Sequence, residues 1–156
     1  VRLHKDAMSN VTLAPALPGD ACALAELRVL AMRPSLEAVG RFDPDRARSR
    51  FLATFDPAAT WHVLDEGQRV GLLVLREEPD GLLLDHLYIT PAAQGRAVGT
   101  SVLEYVFARA RQLDRPVRVG ALKGSRSNAF YLRNGFRPTS VGEWDNYYSW
   151  YPASAA

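Results

Sequence analysis

The chain has 156 residues, 47% of them hydrophobic and 23% charged, with a net charge of +2; this is the size and balance of one globular domain with a sizeable core. No apolar run approaches the roughly 18–20 residues that cross a membrane, and the first residues lack the apolar stretch of a secretory signal. Cys22 is the only cysteine and His4, His62 and His86 have no ligand spacing, so an internal disulfide and a metal site are not expected, and a reducing cytoplasm is the natural compartment.

Met8 opens a stretch that reads like a natural beginning. Residues 1–7 are expected to be a non-native remnant or a disordered tail, and residues 8–156 a single domain. Val11–Leu17 reads as a strand. Asp20 then caps a helix with apolar positions at Leu24, Leu27 and Leu30, closed by Pro34. Asp43-Pro44 starts a second helix in which Ala47, Phe51 and Phe55 recur at i, i+4, i+8, and Asp56-Pro57 ends it.

Trp61–Leu64, Val70–Arg76 and Leu82–Ile89 read as strands joined by Glu66-Gly67 and Pro79-Asp80-Gly81, the turn chemistry of an antiparallel meander. After a loop from Thr90 to Gly95, a long helix is expected from Ala97 to Leu113. Val98, Val102, Val106 and Ala110 form its buried stripe, while Ser101, Glu104 and Arg111 face outward. Val117–Leu122 follows as a strand parallel to Leu82–Ile89. A short helix over Ser127–Asn134 ends at Gly135, and Arg137–Val141 and Tyr147–Tyr151 close the chain as strands. The order βααβββαβαββ predicts a mixed-sheet α/β domain with helices on both faces.

Charge is unevenly placed. Between residues 90 and 140 nine basic side chains face only Glu104 and Asp114, a net +7, and the rest of the chain carries a net −5. Such a segment suits a polyanion, a nucleotide cofactor or a nucleic acid. Within it, an apolar strand runs into the small-residue loop Thr90-Pro-Ala-Ala-Gln-Gly-Arg-Ala-Val-Gly-Thr100, which opens directly into a helix. Small side chains admit an anion close to the backbone, the free N–H groups of the first turn point at it, and Arg96 adds a counter-charge. A diphosphate satisfies all three features.

Gln94-Gly-Arg-Ala-Val-Gly99 resembles the Q/R-x-x-G-x-G/A signature of the GNAT acetyltransferase superfamily. Asn128-Ala-Phe-Tyr-Leu-Arg-Asn-Gly-Phe136 is similar to that family's second cofactor motif, and the element order matches over roughly Val11–Tyr151. Ala97 departs from the pattern, standing where the first glycine of the pair is usual; alanine fits there if its dihedrals are helical.

The resemblance implies a GNAT-like fold with a splayed parallel strand pair that holds acetyl-CoA as acyl donor, without metal. Backbone groups of Leu87, Tyr88 and Ile89 would meet the pantetheine arm. N–H groups of Gln94, Gly95, Arg96, Ala97, Val98, Gly99 and Thr100 would meet the diphosphate. Asn128 would hydrogen-bond the cofactor, Tyr131 would protonate the leaving thiolate, and the Ile89 N–H would face the developing oxyanion. The reaction implied is direct attack by a primary amine of a small molecule or peptide.

A general base is not evident. Leu83 stands where many relatives of that family carry a glutamate. Asp85 and His86 adjoin the cofactor strand and are expected on opposite faces by the two-residue period. Glu37, expected in the inter-helix loop, and Glu143 and Asp145 are further carboxylates. The acceptor pocket is expected from Met32–Glu37 and from Glu143–Tyr151, where one aromatic set packs in the core and the other lines a pocket or a homodimer contact.

The alternatives are a protein lysine or N-terminal acetyltransferase and a non-catalytic acyl-CoA sensor. A nucleic-acid module would need exposed aromatics among the basic residues, whereas Phe130 and Phe136 read as buried. Neither a nucleic acid nor a membrane is therefore expected as a partner.

Overall fold

The computed structural model describes residues 10–95 and 97–153. The expectations for residues 1–7 and for Arg96 lie outside the described residues. In chain order the elements are β1 (Val11–Pro15), α1 (Ala21–Ala38), α2 (Pro44–Thr54), β2 (Thr60–Asp65), β3 (Gln68–Glu78), β4 (Gly81–Ile89), α3 (Val98–Leu113), β5 (Val117–Leu122), α4 (Ser127–Arg133), β6 (Arg137–Val141) and β7 (Asp145–Trp150). The strands form one seven-stranded sheet in the order β1-β2-β3-β4-β5-β7-β6. All neighbours are antiparallel except β4 and β5, which the α3 crossover makes parallel.

The larger core joins Val98, Val102, Leu103, Val106 and Ala110 of α3 to Leu82, Leu84, Val117 and Val119 of the sheet, with Tyr131, Phe136 and Tyr148 completing it. The smaller core sets Leu24, Ala25 and Leu27 of α1 and Phe51 of α2 against Leu72 and Val74. Ser101 belongs inside, at 8% exposure, and not on the outer face. Position 101 follows the buried stripe by one residue less than a turn, and its small side chain fits the crowded α3–sheet interface.

Pro34 does not close the first helix. α1 runs through it to Ala38, so Met32–Glu37 is helical and Glu37 is an exposed partner of Arg33, at 3.0 Å, rather than a loop residue. The stop comes at Gly40, whose φ of +69° lets its own N–H bond the Glu37 carbonyl and the Arg41 N–H bond the Leu36 carbonyl. That is the double closure a left-handed residue after a helix provides. α2 begins as expected, with the Asp43 carboxylate accepting from the Arg46 N–H at 3.1 Å.

The same closure ends α4. Gly135, at φ +90°, donates to Leu132, and the Phe136 N–H donates to the Tyr131 carbonyl at 3.1 Å. The phenylalanine ring then packs edge-on against Tyr131, centroids 5.1 Å apart. The Tyr-x-x-x-Gly-Phe spacing thus has a local cause: glycine turns the chain and phenylalanine locks the tyrosine it turns back onto.

Candidate active site

The site begins with one extra residue. β3 and β4 pair as Val74↔His86 and then Leu75↔Leu84, which leaves Asp85 as a bulge on β4. A bulge bends its strand and resets which side chains share a face. Leu82 and Leu84 point into the larger core, and so do Leu87 and Ile89, whereas strict alternation would part them. His86 and Tyr88 turn to the α1–α2 side, Tyr88 packing against the smaller core. Asp85 and His86 accordingly do not point to opposite faces: Asp85 Oδ2 lies 3.7 Å from His86 Nε2, because the bulge suspends the two-residue period there.

Past the bulge, β4 leaves β5. Their parallel pairing is confined to Leu82↔Val117, Leu83↔Arg118 and Leu84↔Val119, while Gly120, Ala121 and Leu122 pair only with β7. Thr90 donates to the Val70 carbonyl at 2.8 Å, and the register there runs Leu72↔Tyr88 and Leu73↔Leu87. Bonded and non-bonded pairs alternate along an antiparallel ladder. Tyr88 therefore turns its peptide groups toward β3, and Leu87 and Ile89 turn theirs into the gap. Gln94 donates its side-chain amide to the Ile89 carbonyl at 2.9 Å, which ties the following loop to the strand end.

That loop passes through a short 3-10 turn at Pro91–Ala93 and two left-handed residues, Gly95 at φ +83° and Ala97 at φ +60°. The helical dihedrals expected of Ala97 are not those of the structure: it sits in the left-handed region, where a Cβ is strained and glycine is not. The first α3 bond runs from Ser101 N–H to the Ala97 carbonyl at 3.1 Å, so the N–H groups of Val98, Gly99 and Thr100 precede the ladder, with no side-chain cap. Gly99 has a packing cause: a Cβ there would lie 3.0 Å from the Phe130 ring. The glycine brings α4 against the start of α3.

Asn128 is engaged on every edge. Its amide nitrogen donates to the Leu122 and Ser125 carbonyls, at 2.9 and 3.0 Å, and its oxygen accepts from Asn146, at 2.9 Å, and the Tyr148 hydroxyl, at 2.6 Å. It buckles α4 to the end of β5 and to β7. Tyr131, one turn on, is buried, and no group hydrogen-bonds its hydroxyl among the described residues. Burial, with Tyr88 nearby, raises its pKa well above the usual phenol range.

A cleft of about 500 Å³ opens between these parts and the α1–α2 layer, and Tyr88, Tyr131 and Asp145 all line it. The Tyr88 hydroxyl lies 2.9 Å from His86 Nδ1, and the Asp85 carboxylate stands 3.7 Å from Nε2 as a nearby charge, beyond hydrogen-bond distance. Burial lowers the His86 pKa to about 4, opposed by Asp85 and reinforced by Arg28 and Arg76. Burial raises that of Tyr88, with Arg28 acting against the rise. Asp85 itself is held by Arg76 at 2.8 Å. Across the cleft mouth, Arg41 lies over the Trp144 ring at 3.8 Å, joining the α1–α2 connection to the β6–β7 turn. Glu143, beside Trp144, is exposed and is not among the cleft-lining residues.

Sequence reasoning missed Arg28. It stands four residues after Leu24 and one after Leu27, inside the apolar stripe of α1, and a charge in a buried stripe was the available signal. Its Nη1 donates to the Ala47 carbonyl, and its guanidinium lies 6.0 Å from the Tyr88 ring centre. The +7 segment is also less free than the linear count implies. Arg109 and Arg118 pair with Glu77 and Glu78, and Arg115 donates to the Glu78 carbonyl at 3.0 Å. Of the aromatic sets, Tyr148 is buried and Trp150 stacks on Phe107 at 4.1 Å, while Tyr147 and Tyr151 are exposed and Tyr147 reaches the cleft.

Residues 56–138 match the model of the acetyltransferase (GNAT) domain, which is more than half of the chain. The chain belongs to the GNAT acetyltransferase family. Among solved structures, the PaiA N-acetyltransferase of Thermoplasma acidophilum, in complex with coenzyme A, superposes with a TM-score of 0.76 at 12% identity, covering 90% of this chain and 98% of that one. An acetyltransferase from Thermus thermophilus superposes with a TM-score of 0.71 at 21% identity, covering 90% and 96%. These likenesses show the fold, an α/β domain with a mixed sheet and one parallel pair.

A polyribonucleotide nucleotidyltransferase of Methylobacterium nodulans is 29% identical over 119 residues. That stretch is 74% of this chain, and the chain spans 16% of that relative's length. Among the described residues no helix is long and apolar enough to cross a membrane, and no cluster of His, Cys, Asp or Glu could hold a metal ion.

Proposed function

We propose that the protein transfers an acetyl group from acetyl-CoA to a primary amine of a small molecule or peptide, by direct attack of the amine on the thioester. The observation that carries this reading is the parting of β4 from β5, with the peptide groups of Leu87 and Ile89 facing the gap. Gln94 already holds the Ile89 carbonyl; the Ile89 N–H and the Leu87 peptide groups, turned out of the ladder, need partners, and an amide-bearing chain laid along the gap supplies them. The loop from Gln94 to Thr100, with its left-handed turns and free helix-start N–H groups, fits a diphosphate at the end of that chain. Asn128 serves this site by fixing where α4 starts.

The chain's own groups then divide the work. The Ile89 N–H faces the oxygen on which charge develops as the amine adds and the C–S bond breaks. Tyr131 gives its proton to the leaving thiolate. The phenol is fully protonated at neutral pH, and its burial, which weakens it as an acid, is offset only as the negative thiolate forms beside it. The amine attacks in its neutral form, oriented by the Tyr88 hydroxyl, which the neutral His86 ring holds through Nδ1.

Calorimetry with acetyl-CoA, followed by thiol release over a panel of primary amines, tests the reading. Binding at micromolar donor and amine-dependent thiol release are expected. Absence of donor binding overturns the site assignment, and binding without release for any amine overturns the transfer.

A further inference from the structure

Four arginines, Arg28, Arg41, Arg46 and Arg50, line the cleft on its α1–α2 side. None of them pairs with a carboxylate among the described residues, although three aspartates line the same cleft. Asp85 is committed to Arg76, and Asp43 caps α2. Asp145 remains, on the β7 side, where its charge is felt at Tyr88. The cleft is therefore polarised, with cations along α1 and α2 and a single uncommitted carboxylate, Asp145, within electrostatic reach of Tyr88.

Arg28 makes the point sharper. Its Nε is buried and has no hydrogen-bond partner, its Nη1 is fixed to the Ala47 carbonyl, and its guanidinium carbon lies 6.0 Å from the Tyr88 ring centre. The guanidinium is thus fixed in the cleft wall, and no carboxylate among the described residues compensates its charge. Arg46 and Arg50 stand one turn apart on α2, four residues from each other, so both reach the same wall. Guanidinium groups prefer planar or tetrahedral oxyanions, which accept two N–H bonds at once.

We propose that the acceptor carries an anionic group of its own, a carboxylate or a phosphate, held by Arg28, Arg46 and Arg50 while its amine sits between Tyr88 and Asp145. The proposal rests on the acetyl-transfer reading and names the substrate class for it. Arg41, over the Trp144 ring, lines the same cleft.

The test uses the full chain loaded with coenzyme A, titrated calorimetrically with matched amines: phenylalanine against phenylalaninamide, and O-phosphoethanolamine against ethanolamine. Thiol release from acetyl-CoA is read for the same four compounds. At least a tenfold preference for the anionic member of one pair is expected, and the pair that shows it identifies carboxylate or phosphate. Arg46→Gln and Arg50→Gln, on the accessible helix α2, should each raise its KM about tenfold with kcat and coenzyme A affinity unchanged. Arg28→Lys, which keeps the charge, should fall between.

Anionic amines that bind without being acetylated keep the arginine site and sink the transfer. Equal use of charged and neutral amines keeps the transfer and overturns the site. Failure of the anionic amines to bind also overturns it. Loss of coenzyme A affinity in the α2 variants assigns the arginines to the donor and overturns it too.

Discussion

His86 Nδ1 lies 2.9 Å from the hydroxyl of Tyr88, and the two rings are tilted against each other with centroids 5.3 Å apart. Phe51 covers the other side of the imidazole at 5.7 Å. The ring is thus a neutral group in the smaller core, and its pKa of about 4 lies below the 6.5 of a free histidine. The unfolded chain binds this proton more readily than the folded one does. The stabilising contribution is therefore complete above pH 6.5 and is lost as the pH falls toward 4, amounting to about 3 kcal/mol. Unfolding free energies measured from pH 7 to pH 4 should fall by roughly that much more in the natural chain than in His86→Phe. Parallel curves for the two would show that the imidazole is not buried as a neutral ring.

Tyr131 offers a clean separation of chemistry from packing. Its hydroxyl makes no hydrogen bond among the described residues, whereas its ring contacts Phe130, Phe136 and Tyr148. Tyr131→Phe keeps the ring, so its stability should match the natural chain within about 0.5 kcal/mol. Turnover should drop by on the order of 100-fold, the size of a lost general acid. Acetyl-CoA titration of the same variant should give unchanged affinity. An equal loss of affinity and rate would make the hydroxyl a binding group instead.

Ala97 carries strain that glycine would remove. At φ +60° the methyl group crowds the following carbonyl, a cost of about 1 kcal/mol that glycine escapes. Ala97→Gly should raise the melting temperature slightly and leave donor affinity equal or higher, while Ala97→Val should lower both. A fall in stability on the glycine substitution would contradict the left-handed turn.

Gly71 sits where β3 passes closest to β4. A Cβ added there would overlap the Tyr88 carbonyl oxygen and lie 2.8 Å from the Ile89 side chain. Both strands are in the sheet interior, so neither can move aside cheaply. Gly71→Ala should destabilise by about 1–3 kcal/mol in chemical denaturation, and it should lower donor affinity because it displaces Tyr88 and Ile89, the second of which borders the gap. Unaltered affinity in a folded variant would detach the β3 edge from the donor site.

The element order was legible because each helix and strand announces itself locally: Asp43-Pro44 opens α2, Gly135-Phe136 closes α4, and valines at helical spacing bury α3. One boundary misled for a physical reason. Pro34 reads as a terminator, but a helix tolerates one missing N–H when a stronger stop, here Gly40, lies a turn and a half beyond.

Strict alternation along β4 fails because a single unpaired residue, Asp85, is a property of how two strands register. One strand read alone does not contain it. The gap between β4 and β5, the Asn128 buckle and the Arg28–Tyr88 contact are likewise relations between distant segments. Only the charge inside the α1 stripe hinted at the last of them.

The two walls of the cleft differ in what they are made of. One is main chain: the peptide groups of Leu87 and Ile89 are present whatever side chains stand at those positions. The other is side chain throughout, with Arg28, Arg46 and Arg50 projecting from α1 and α2. Substitutions along α1 and α2 can therefore retune what is chosen on one side while the grip on the other passes unaltered through generations of sequence drift.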